Sequence, residues 1–208
     1  MTLPDIPWPA KGDKAFLADP TANFDLAWVG IFGRENAYVD SFKTAADELA
    51  ERAINSHNSY ERLSLVIPLC YLYRHYFELQ LKRLLELSIE TGMSDMTSEK
   101  LSGTHSLCTL WNKAKDVLKQ AWPDGSEADL LAVESVILEF HNADPSGQEF
   151  RFSTLKSGEK SLAKVPTSFC LENLVSTINS VAAFFDGSAT GLCAYADYQR
   201  DQAGYYGD

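Results

Sequence analysis

Residues 61–90 constrain the fold more than any other part of the chain. Val66, Cys70, Tyr73, Phe77, Leu81 and Leu84 recur at steps of three and four. Leu65, Leu69, Leu72, Tyr76 and Leu79 make a second stripe with the same helical spacing. A helix that is apolar on two sides must be covered on two sides, which places it at the centre of a bundle. Pro68 either kinks this helix or marks its true first turn. Arg74, Glu78, Lys82 and Arg83 interrupt the apolar run, so the segment reads as a buried helix and not a membrane span, and no membrane association is expected.

Four further segments carry helical periodicity. Residues 37–56 place Tyr38, Phe42, Ala45, Leu49 and Ala53 on one face. Residues 104–122 do the same with Leu107, Leu110, Trp111, Ala114 and Leu118, leaving Lys113, Lys115 and Lys119 outside. A helix starting at Ser126 opens with a capping-box-like Ser-Glu-Ala-Asp and stops near Asp144-Pro145. Residues 168–185 form the last, with Gly187 as the expected C-terminal glycine. Phe150 and Phe152 alternate with polar residues, which predicts a short extended piece within 149–155. The expected architecture is therefore an all-α bundle of five helices, spanning 36–188. An irregular arm (1–35), rich in proline and in aromatics such as Trp8, Phe16, Phe24, Trp28 and Phe32, is expected to pack on the bundle. A tyrosine-rich tail, 189–208, follows it.

Charge and cysteine usage exclude several function classes. A formal net charge of -11 disfavours nonspecific binding to phosphate backbones, although a local basic patch could still contact RNA. Cys70, Cys108, Cys170 and Cys193 form no C-x-x-C pair, so neither a disulfide framework nor a cysteine metal site is expected. His57, His75, His105 and His141 are too scattered for a zinc site. The first nine residues lack a basic region followed by an apolar run, which predicts a cytoplasmic protein. The chain carries no phosphate-binding, nucleophile-elbow or dinucleotide motif, and no cofactor is expected.

Candidate binding residues gather on and around the central segment. Arg74, Glu78, Lys82 and Glu86 follow one another at i, i+4 steps, with His75 beside them. Alone, such a strip is an ion-pair ladder on a solvated side; on a central helix it can instead line a cleft. His105 is placed in the first turn of the next helix, where the dipole disfavours an imidazolium; capping, packing and base roles are all open to it. Asp144 sits at a helix stop. Arg151, between two phenylalanines, is expected to need a carboxylate such as Glu78 or Asp144.

The Arg-His pair followed by Glu-Leu-x-Leu-Lys (74–82) resembles the central helix of HEPN-type proteins. His105 to Leu110, His-x-Leu-x-x-Leu, is similar to the opening of their next helix. The resemblance spans about 37–185. It implies a dimeric helical domain acting in prokaryotic toxin–antitoxin or phage-defence systems, with a protein partner from the same operon. Active members of that family are metal-independent RNases whose motif is an arginine, then four to six residues, then a histidine. Here Arg74 has its histidine immediately adjacent, and only Arg52 and His57 match the spacing, with Ala53 where a polar residue is usual. The expectation is thus a binding or regulatory component. The alternatives are an RNase using Arg52 and His57, and an acidic inhibitor that mimics nucleic acid. The two apolar stripes of 61–90 further predict a homodimer that buries the excess.

Overall fold

The computed structural model describes residues 8–13, 15–16 and 35–205. The chain divides into two units, Met1–Gly33 and Arg34–Asp208. In the first, Asp13 closes a turn by accepting the Ala10 amide at 2.7 Å. Trp8 and Phe16 are both almost fully exposed; the other aromatics expected to pack, Phe24, Trp28 and Phe32, lie outside the described residues.

The second unit is all-α. The described residues hold six helices: α1 (Glu35–Asn55), α2 (Ser59–Glu90), α3 (Ser98–Ser102), α4 (Leu107–Ala121), α5 (Glu127–Ala143) and α6 (Leu171–Tyr205). Asn58 caps α2 by accepting the Tyr60 amide, and the turn at 56–58 folds α2 back along α1. Ala46, Ala50 and Ala53 are buried along α1. Their small side chains let the two helices approach closely. Pro68 lies well inside α2 and not in its first turn.

The central position expected for α2 is what the packing shows: it touches α1, α3, α4 and α6. From Leu69 onward both apolar stripes contribute fully buried residues, Tyr73, Phe77, Leu81 and Leu84 from one and Leu69 and Tyr76 from the other. The Phe77 ring meets Phe140 of α5 and Phe185 of α6 edge-on at 5.1 and 6.2 Å. Burying a side chain of this size contributes about 1.5–3 kcal/mol. Tyr73 donates to Asp47, and Lys43 bridges Asp47 and Asn179, which ties α1 to α2 and α6.

Three expectations change. A short extra helix, α3, appears between α2 and α4. The piece expected to be extended within 149–155 is mostly turn; the described residues contain no strand, only one antiparallel bridge between Thr154 and Lys160 around Gly158. Finally, α6 does not stop near Gly187. It runs on to Tyr205, so the tyrosine-rich segment continues the helix. The apolar spacing explains this. Ala189, Leu192 and Ala196 extend the stripe of Ile178, Val181 and Phe185, and all are buried.

Candidate functional site

Arg74 is 1% exposed, on the side of α2 covered by the segments before α4 and after α5. A guanidinium in that position must satisfy its donors within the protein. Its Nη1 donates to Glu78 Oε2 at 2.6 Å, and its Nη2 donates to the His105 carbonyl at 2.7 Å. Its Nε donates to the Asp144 carbonyl at 3.3 Å and lies 3.4 Å from Asp144 Oδ2, an electrostatic contact without a hydrogen bond to that oxygen. The other Asp144 oxygen accepts the Gln148 and Glu149 amides, so the carboxylate also shapes the turn that follows α5. Gly147 completes the seat. It adopts φ +75°, and a Cβ there would stand 3.2 Å from the guanidinium carbon. Only a glycine takes this backbone conformation freely and lets the chain lie so close to the arginine.

Glu78 gathers the remaining charges. Its Oε1 accepts Lys82 Nζ at 3.0 Å and His105 Nδ1 at 2.8 Å. Burial pushes its carboxyl up, but hydrogen bonds from Arg74, His105 and Lys82 outweigh burial and hold it below the usual carboxylate range. Lys82 also reaches the Ser102 carbonyl at the end of α3. The structure thus brings Arg74, Glu78, Lys82, His105 and Asp144 into one cluster. It fastens the loops on either side of the α4–α5 pair to the central helix.

Several placements differ from the sequence expectation. His105 precedes the α4 N-cap, Ser106, and so lies outside the first helical turn. Its side chain is 61% exposed while its Nδ1 bonds the buried carboxylate. His75 does not bond to the cluster: its ring stacks on Tyr71 at 5.9 Å and meets Phe42 edge-on at 4.5 Å, and burial lowers its pKa. Arg151 does not take the carboxylate expected of it, because Arg74 already occupies Glu78 and Asp144. Instead it is exposed, donates to the Gly147 carbonyl at 2.7 Å, and lays its guanidinium over the Tyr71 and Phe152 rings. Arg52, in the last turn of α1, pairs with Glu61 of α2 at 2.7 Å, and His57 is exposed on the intervening turn. Both are near the start of α2, which is about 22 Å along the helix from Arg74.

The start of α2 has a different character. None of residues 59–68 is buried. Tyr60, Leu63 and Ile67 are 77%, 69% and 37% exposed, and their spacing puts them on one face. Tyr71 continues that face, with Phe152 (55% exposed) nearby through their shared contact with Arg151. One helix face therefore passes from an exposed apolar stripe to a buried charge cluster within a few turns. Nothing in the sequence marks Gly147 as the seat of Arg74; a glycine after Asp-Pro-Ser reads as an ordinary turn. Compared with known proteins, the chain matches no family model, no curated protein and no solved structure.

Proposed function

We propose that the chain is an HEPN-like binding or regulatory module of a prokaryotic defence or toxin–antitoxin system, acting through protein contacts and not as a nuclease. The observation that carries this reading is the exposed run Tyr60, Leu63, Ile67 on one face at the start of α2. Contiguous apolar surface of this kind marks interaction sites. The self-complementary occupant is a second copy, in line with the dimeric habit of the family it resembles. The arginines give further support. The Arg74 guanidinium is bonded on all three nitrogens inside the protein, and Arg52 is engaged by Glu61. An RNase needs an acid and a base about the scissile phosphate together with free positive charge for the developing phosphorane.

The test is an RNA-cleavage assay in chelator combined with a cellular activity assay. The purified protein is expected to leave RNA intact. Arg52→Ala with His57→Ala is expected to retain cellular activity, and Leu63→Glu to lose it while remaining folded by circular dichroism. Metal-independent cleavage that disappears in the Arg52/His57 double variant would overturn this reading in favour of an RNase.

A further inference from the structure

A cavity of about 320 Å³ opens between α5, the start of α6 and the segment that connects them. It is not a surface wrinkle. Its lining includes Cys70 of α2, Phe140 of α5, Phe150 of the α5–α6 connection and Ile178 of α6, all members of the buried core. Val165 and Phe169 wall it from the connecting segment. Its size falls at the lower end of the range of about 300–1,000 Å³ typical of small-molecule sites, and like them it is mainly apolar with few polar groups.

Those polar groups are specific. The lining carries one ammonium, Lys164, one carboxylate, Glu139, and the amides of Asn142 and Asn173. Neither charged group hydrogen-bonds or pairs with another described residue, and they do not pair with each other. We propose that this cavity binds a small molecule with an apolar body and a zwitterionic head, the chemistry of an apolar α-amino acid. The body fills the space above Phe140 and Ile178, the carboxylate end meets Lys164 and the ammonium end meets Glu139. An anion alone or a cation alone would leave one rim charge unmatched. This site is separate from the α2 stripe and does not depend on the proposed partner binding.

The cysteines give a direct readout. Cys170 lines the cavity and is exposed, whereas Cys193 is exposed far along α6, outside the lining. Cys70 is buried, its thiol pushed up to about 12 by burial, and is inert to alkylation at neutral pH. The experiment measures N-ethylmaleimide alkylation of Cys170 and Cys193 by mass spectrometry of the full chain. The probes are phenylalanine, 3-phenylpropionate and phenethylamine. Phenylalanine is expected to slow Cys170 about tenfold at roughly ten times its dissociation constant, leaving Cys193 unchanged. The two single-charge analogues should protect more weakly. Lys164→Ala, an exposed change, should weaken phenylalanine more than phenethylamine, and Glu139→Gln should do the reverse. Thr177→Trp, placed to fill the cavity, should abolish protection. Equal alkylation of Cys170 with and without millimolar phenylalanine, or protection that is the same for all three probes and indifferent to both rim variants, would overturn the proposal.

Discussion

Arg74 and Glu78 show how a residue pattern can be visible in sequence while its use is not. Their i, i+4 spacing is equally suited to a solvated ladder and to a buried pair, and only the loops around residues 105 and 144–147 decide between them. Removing one member leaves the others as uncompensated buried charges, which costs about 3–5 kcal/mol, a large share of the roughly 5–15 kcal/mol of a whole domain. Arg74→Ala is therefore expected to lower the urea midpoint steeply, whereas Arg52→Ala, which breaks an exposed pair, should change stability by less than about 1 kcal/mol. Equal losses in the two variants would contradict the burial argument. The titrating groups give a second test. His75 and His141 have pKa values lowered from 6.5, so the native state favours their neutral form. Their contribution is present above pH 6.5 and is lost as the pH falls toward their lowered values. Glu78 lies below its ordinary 4.5, so its contribution is present above that pH and is lost as the pH falls through its lower folded value. Urea midpoints measured against pH should decline in two stages, the first starting below about 6.5 and the second below about 4.5. His75→Asn should shrink the first stage, leaving the part due to His141, and leave the second unchanged. A stability that holds level from pH 7 to 5 would count against the half-buried neutral histidines.

At the level of elements, helical periodicity located α1, α2, α4 and α5 to within a few residues because each carries apolar residues at helical spacing, on two sides in α2, and most have a capping side chain. It failed at α6, where Gly187 looks like a helix end. Glycine stops a helix only when the chain needs a left-handed turn there; here the apolar stripe continues and tertiary packing keeps the helix going. Gly187 and Gly191, both inside α6, differ in a way that sequence cannot reveal. A Cβ at Gly187 would meet nothing within 4 Å, but one at Gly191 would fall 2.5 Å from the Trp122 ring. Gly187→Ala should raise stability by about 0.5–1 kcal/mol through the loss of unfolded-state freedom. Gly191→Ala should forfeit that gain by pushing the indole away, with a shift in tryptophan emission. A stabilised Gly191→Ala variant with unaltered fluorescence would show that the ring does not pack where the structure puts it. The short α3 and the turns at 149–155 escaped sequence reading for a related reason: their geometry is set by contacts such as Lys82 with the Ser102 carbonyl and Arg151 with the Gly147 carbonyl, not by a local period.

For the molecule as a whole, the two apolar stripes of 61–90 lead to one central question. From Leu69 onward the bundle covers most of both, and Leu65 and Val66 at their start are half-buried; the exposed Tyr60, Leu63 and Ile67 belong to neither stripe and form a separate face. Sequence reading did not single out this face, since its exposure depends on where α4, α5 and the connecting loops sit. On the proposed reading a second copy covers this end, and the net charge of -11 keeps the rest of the surface from associating. The most direct test is light scattering on the purified protein at tens of micromolar, alongside Leu63→Glu. The wild type is expected at twice the chain mass of 23.1 kDa, and Leu63→Glu at the monomer mass with unchanged circular dichroism. A wild-type chain that runs as a monomer at that concentration would contradict the account.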